Sequence, residues 1–457
     1  MFEFLRTFLR SPSLKLFLIA FLIILLMVPL LLADALKDER SYRAQEVRHE
    51  VGQQWGPRQE LIGPFVVVPY VVQVVTWEND KRVERQQERF AIFTPEVLDV
   101  SGQADTKILH RSIYDVPVYN ARLKLSGRFG AAHIAEVESD TVQAVRWNDA
   151  KFLLSLSEVA GLKSVAKLRI DDATEIGFAP STGIAGRSSL NTGIHARLGD
   201  APAVQYGPDK GFGFEVNLDF NGSVTLNVAP VAKETRVSLK SNWKSPSFQG
   251  AFLPSEREIG PDGFNASWKV PQLARNVPDS WPLSEAGPDR LRPYVFGVSF
   301  VDPVDFYTLI NRAIKYGLMF LATSFMAVFC LEVISGRRVH AVQYLFTGLA
   351  LIFFYVLLLS LAEHMGFDTA YLLASSAMIL MVATYVGGVM QSLRRGIVMA
   401  IILGLLFALL YFILRLEDYA LLVGALLGFV ALTITMFTTL RVDWSGRSQQ
   451  AAPVSKD

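Results

Sequence analysis

Long apolar runs occur once near the start of the chain, at Leu16–Ala33, and then crowd its last third, at Ala313–Ile334, Tyr344–Ala362, Thr369–Met390, Ile397–Leu414 and Ala420–Leu440. Crossing ~30 Å of hydrocarbon at ~1.5 Å per residue takes about 20 apolar residues in helical form. The pattern therefore predicts six transmembrane helices. Residues 34–308 hold no such run. Their apolar positions alternate with polar ones in short stretches broken by Gly, Pro, Asn and Asp, as in strands with one buried face. The expected fold is a polytopic α-helical membrane protein with a large, mainly-β extracytoplasmic domain inserted between helices 1 and 2.

The chain divides on this reading into an N-terminus (1–15), a first span (16–33), the β domain (34–308), a five-helix bundle (309–441) and a tail (442–457). After the first span, Asp34–Gln54 reads as a helix running on out of the membrane, with Ala44, Val47 and Val51 on one face. The clearer strands are Phe65–Val75, Val118–Arg128, Phe152–Ser157, Phe214–Phe220, Ser223–Val228, Val237–Trp243 and Phe264–Lys269. Asn221-Gly222 invites a hairpin. A two-residue turn would put the flanking apolar rows on opposite faces, whereas a loop of Phe220-Asn221-Gly222 pairs Leu218 with Val224, Val216 with Leu226 and Phe214 with Val228. Asp171–Gly213 is loop-rich, and one or two β subdomains both fit.

Charge then orients the spans. Cytoplasmic loops carry an excess of Lys and Arg close to span ends. Arg6, Arg10 and Lys15 precede the first span, Arg337 and Arg338 follow the second, Arg394 and Arg395 follow the fourth, and Arg441, Arg447 and Lys456 follow the last. Between them, Glu363–Asp368 carries no basic residue, and Arg415 is offset by Glu417 and Asp418. Both termini are thus expected in the cytoplasm and the β domain outside. Ala33-Asp34-Ala35 offers a small-x-small cleavage pattern, but the apolar run before it exceeds the ~7–15 residues of a signal-peptide core, so an uncleaved anchor is expected.

An apolar share of 51% is modest because the β domain dilutes the spans, and a net charge of +1 with no basic patch interleaved with aromatics gives no case for nucleic acid. The single cysteine, Cys330, lies in the second span, so the β domain is expected to stand on its own core without a disulfide. The six histidines fall in no metal-ligand spacing, and no Gly-x-Ser-x-Gly elbow or Walker loop occurs. Asp171-Asp172 reads as a solvated turn, and no cofactor is implied. Spans three to six contain no ionisable residue, which argues against a proton-coupled carrier. In the second span, Lys315 and Glu332 lie at opposite edges, where each can snorkel to water. Gly424 with Gly428, and Gly387-Gly388, suggest close helix packing.

One constellation gathers at the outer rim. Spans two and three should form an antiparallel hairpin about Val339, and Lys315 and Glu363 are equally far from that point along the chain. They are expected at one depth, with Arg312, His364, Asp302 and Asp305 nearby. This cluster reads either as an ion pair that stiffens the hairpin or as a point coupling the β domain to the bundle.

The same residues carry a resemblance. Val304-Asp305-Phe306-Tyr307, Arg312–Tyr316, Gln343-Tyr344-Leu345 and Ser360–Phe367 are similar to motifs of the CreD family of bacterial inner-membrane proteins. So are Ser241–Phe248, Phe252-Leu253-Pro254, Leu61–Pro64 and Ile113-Tyr114 with Val118-Tyr119, and the resemblance runs from about residue 12 to 445. It implies an inner-membrane protein that maintains cell-envelope integrity, within a two-component regulon linked to colicin tolerance and β-lactam responses. The family has no established catalytic or cofactor residues. Two departures stand out: His340-Ala341 where the family tends to His-Pro, and Ser157–Gly161 without the Arg of a Ser-Asp-x-Arg-Gly motif. The expected partners are the lipid bilayer and an unidentified periplasmic or envelope component, with oligomeric state open. A non-enzymatic protein leads the expectations, ahead of a transport or export factor and an outer-face hydrolase.

Overall fold

The computed structural model of the protein describes residues 12–440 apart from 79–80, 139, 172–173, 185–191, 202–204, 284–289, 301–304, 338 and 417–419. The chain forms two compact units, residues 46–303 and residues 1–45 with 304–457.

The first unit is built on two β-sheets, one of ten strands and one of eight. The Gln59–Glu78 strand organises the larger sheet. It pairs antiparallel with Lys81–Phe93 and Lys151–Leu156, and at Gln59–Leu61 it pairs parallel with Thr225–Val228. In the smaller sheet, Tyr114–Phe129 lies between Val97–Arg111 and Phe212–Ser223. Strand alternation turns Phe214, Val216, Leu218 and Phe220 inward. The inner faces of both sheets supply one continuous hydrophobic core. Rings interlock between the sheets: Phe152 lies 5.4 Å from Phe214 and 5.9 Å from Phe129, and Trp268 lies 5.6 Å from Phe296. One shared core makes this a single β domain. Each strand expected from alternation falls on an observed strand.

The hairpin expected at Asn221-Gly222 does not form. Phe212–Ser223 is one strand, paired throughout with Tyr114–Phe129 so that Asn221 faces Asn120 and Gly222 faces Tyr119. A Cβ on Gly222 would run into the Tyr119 ring, which is fully buried. The glycine is there for close approach and not for a left-handed turn. The chain turns two residues later, at Val224, which takes φ 65° and hands the backbone from the smaller sheet to the larger.

The second unit is helical. Helix α1 (Pro12–Trp55) enters it with its residues up to Gln45 and gives its last turns to the β unit, where Val47 and Val51 pack on Val116 and Val118. Ala44, Val47 and Val51 are buried, as the spacing predicts. After the β unit come α2 (Phe306–Lys315), α3 (Gly317–Ser335), α4 (Ala341–Met365), α5 (Phe367–Val389), α6 (Leu393–Arg415) and α7 (Ala420–Thr439). Among the described residues, five helices are long and apolar enough to cross a membrane: α1, α3, α4, α5 and α6. The sixth expected span falls on the apolar helix α7.

The second expected span, Ala313–Ile334, is in fact two helices. The short α2 is amphipathic, burying Tyr307, Leu309, Ile310, Ala313 and Ile314, and Asp305 caps it by accepting from Tyr307 N. The break precedes Gly317, where an added Cβ would stand 3.0 Å from Leu30 and 3.2 Å from the Tyr355 hydroxyl. Close helix packing falls on Gly387, 3.2 Å by the same measure from Gly396 Cα, whereas Gly388 and Gly428 face open space and Gly424 meets only Tyr316. At the start of α4, His340 Nδ1 accepts from Val342 N at 3.3 Å and Gln343 Oε1 accepts from His340 N at 2.8 Å, so the His340-Ala341 departure still yields a capped start.

Candidate functional site

The helical unit concentrates its ionic contacts at its two ends. At the end marked by the first residues of α4, Glu332 is 7% exposed and forms an ion pair with Lys15, while Tyr344 OH donates to its other oxygen at 3.0 Å. Lys15 Nζ also donates to Val339 O at 2.8 Å. Glu332 therefore does not snorkel to water; it is enclosed, and Lys15 neutralises it. A carboxylate out of water is costly unless paired and hydrogen-bonded. Replacing Lys15 with methionine is expected to cost about 3 kcal/mol in detergent-solubilised protein, read as a lowered melting temperature. Pairing Lys15→Met with Glu332→Gln should return most of that loss, because no buried charge then lacks its counterion.

At the opposite end, Glu363 closes α4 with its side chain only 2% exposed. Arg40 Nη2 of α1 donates to Glu363 Oε2 at 2.9 Å, and Tyr307 OH of α2 donates to Oε1 at 3.1 Å. One turn back on α1, Lys37 is 5% exposed, with its ammonium 2.9 Å from Asn311 Oδ1, 3.0 Å from Asp34 and 2.7 Å from Asp38. Three chain segments are thus tied by charge-assisted hydrogen bonds at one level. The carboxylates of Asp38 and Asp34 and the Asn311 amide oxygen give the buried ammonium its partners. Beside this cluster, Arg415 at the end of α6 pairs with Asp368 at the start of α5, and Tyr411 OH donates to the same Asp368 oxygen at 3.0 Å.

The expected rim cluster is only partly assembled. Glu363 is its centre, but Lys315 is exposed and is not the partner of Glu363. The helix crossing brings α1, and not Lys315, to the carboxylate. Arg312 Nη1 donates to Leu414 O at 3.5 Å, Asp305 caps α2, and His364 Nδ1 meets Ser360 O at 3.0 Å within its own helix. Asp302 lies outside the described residues. Lys37, Arg40, Tyr307 and Asn311 were missed. A signal existed: Ala33, Lys37, Arg40 and Ala44 follow helical spacing, and the two alanines are buried.

In the β unit, Asp171 sits in a left-handed turn (φ 45°) and accepts from Gly213 N at 2.7 Å, as a solvated turn residue would; Asp172 lies outside the described residues. Among the described residues no group of His, Cys, Asp and Glu is arranged to hold a metal ion.

Several membrane-length apolar helices, tied at both ends by ion pairs, together with a large β domain define a multi-pass membrane protein. A sequence model of the family described as Inner membrane protein CreD matches residues 11–445. The chain is 29% identical over 436 residues, 95% of its length and 94% of the relative's, to the Inner membrane protein CreD of Escherichia coli (strain K12). It belongs to the CreD family of inner membrane proteins.

Proposed function

We propose that this is a non-enzymatic inner-membrane protein that supports cell-envelope integrity, with six spans, both termini cytoplasmic and the β domain in the periplasm, where it binds an envelope component. The observation that carries this reading is the charge of the termini and short loops: Arg6, Arg10 and Lys15, Arg337 and Arg338, Arg394 and Arg395, and Arg441 and Arg447 flank spans on one side, and the short loops on the other side are acidic or neutral. A β domain with its own extensive core, on a helical unit whose apolar spans three to six lack ionisable groups, suits a platform better than a pump.

Orientation is tested by labelling. In a Cys330→Ser background, Leu273→Cys, at a 97% exposed position of the β domain, should react with a membrane-impermeant maleimide on intact spheroplasts. Arg337→Cys, in the α3–α4 loop, should react only after permeabilisation. The reverse pattern rejects the topology. Function is tested by deletion: loss of the chain should raise uptake of an excluded dye, and re-expression should restore the barrier. Unchanged uptake in the deletion strain rejects the envelope role.

A further inference from the structure

The β domain carries an open cleft of about 550 Å³ on the outer face of its larger sheet. Strand register builds its floor. Glu60 pairs with Asn227, Asn227 with Gly297, and Gly297 with Gln249, so these positions stand in one row across the sheet. Thr225 and Ser299 form the next pair on the same face. The intervening residues Leu226 and Val298 turn into the core. Gly297 has no room for a side chain: a Cβ there would run into Leu226 O and lie 2.6 Å from Asn227 Oδ1, and Gln249 Nε2 reaches over to donate to that oxygen at 3.4 Å. Ser157 steadies the wall, its Oγ accepting from Glu60 N at 2.6 Å and donating to Arg58 O at 3.1 Å.

Two further observations mark the place. Val224 lines the cleft with φ 65°, a conformation β-branched residues rarely take, and such strain persists where surrounding structure demands it. Gln59, at the edge of the cleft and 1% exposed, pairs with Leu226 and turns its side chain to the core side, where it donates to Glu158 O and Asn221 O at 3.3 Å each and holds the wall in place.

The cleft presents the amides of Asn227 and Gln249, the hydroxyls of Ser157, Thr225 and Ser299, the carboxylate of Glu60 and the guanidinium groups of Arg58 and Arg292, and among the described residues no aromatic side chain lines it. An apolar occupant would strip water from these groups at about 1–3 kcal/mol each without replacing their hydrogen bonds. A stacking ligand finds no ring. The volume falls within the ~300–1,000 Å³ of small-molecule sites. We propose that the cleft binds a saccharide bearing hydroxyl and acetamido groups. That such a sugar comes from the envelope rests on the orientation proposed above; the cleft's chemistry does not.

The test uses the full chain purified in lauryldimethylamine oxide, since a detergent with a sugar headgroup would compete. Saturation-transfer NMR and titration with N,N′-diacetylchitobiose should show saturable binding. Gln249→Ala should weaken it about 5-fold, as expected for one lost hydrogen bond. Gln249→Trp, which places a bulky ring in the cleft from an edge strand, should weaken it at least about 10-fold with an unchanged melting temperature. No transfer to the sugar, binding of triglycine in its place, or affinity indifferent to both substitutions overturns the proposal. Because the assay is run in detergent, its failure leaves the topology untouched, and failed maleimide labelling leaves the cleft untouched.

Discussion

Gly222→Val should destabilise the β domain by about 3 kcal/mol, read as a lower urea midpoint in tryptophan fluorescence. Position 222 pairs with Tyr119 on the neighbouring strand, and any Cβ there meets that ring. The ring has nowhere to go. It is 0% exposed, lies 4.8 Å from the Phe300 ring, and its hydroxyl donates to Thr225 O at 2.7 Å. Close-packed interiors do not absorb added methyl groups without shifting backbone or rotamers. Asn221→Ala, one residue before, provides the contrast. Asn221 Oδ1 receives only a 3.4 Å contact from Asn120, so its loss should cost under about 1 kcal/mol. If valine at 222 left the midpoint unchanged, the turn reading of Asn221-Gly222 would return and the observed strand register would be wrong.

The second large effect is expected at the α1–α2–α4 junction. Arg40→Ala removes the counterion of a carboxylate that is 2% exposed and leaves Tyr307 as its remaining hydrogen-bond partner. Arg40 itself is 42% exposed, so water screens part of the attraction, and a loss of about 2 kcal/mol is expected. Glu363→Gln on its own should cost less, since the amide oxygen can still accept from Tyr307 or Arg40. Arg40→Glu with Glu363→Arg should recover part of the loss of either single exchange. Lys315→Glu should stay within about 0.5 kcal/mol, as for an exposed side chain away from the pair. Thermal unfolding of the solubilised chain, followed by fluorescence-detected size exclusion, reads all of these variants. A strong effect of Lys315→Glu, rescued by Glu363→Lys, would restore Lys315 as the partner.

What could be read from the chain in advance follows from how local its cause is. Apolar runs announce themselves because each residue must satisfy lipid or a neighbouring helix by its own side chain, so α3 to α6 lie within a few residues of their expected bounds. Alternation did the same for the strands. The break at Tyr316-Gly317 was hidden because the apolar face of α2 runs into the all-apolar α3, and the reason for the glycine is contact with Leu30 and Tyr355, remote in sequence. Gly222 was misread for the same reason: the ring that excludes a side chain there belongs to Tyr119. Distance along the chain could be counted from Val339, but azimuth could not, so Glu363 was singled out and its partner Arg40 was not. The cleft left no trace in the sequence, because its floor is gathered from separate strands whose parallel and antiparallel register only the fold supplies.

The parallel pairing of Gln59–Leu61 with Leu226–Val228 also sets a timetable for assembly. The first strand of the domain meets this neighbour only after the intervening chain has been made, and Thr225–Val228 in turn waits for Phe296–Ser299 to complete its other edge. Contacts of such sequence separation form slowly, since loop closure must be endured before they repay it. The larger sheet therefore keeps open strand edges until the last residues of the domain appear.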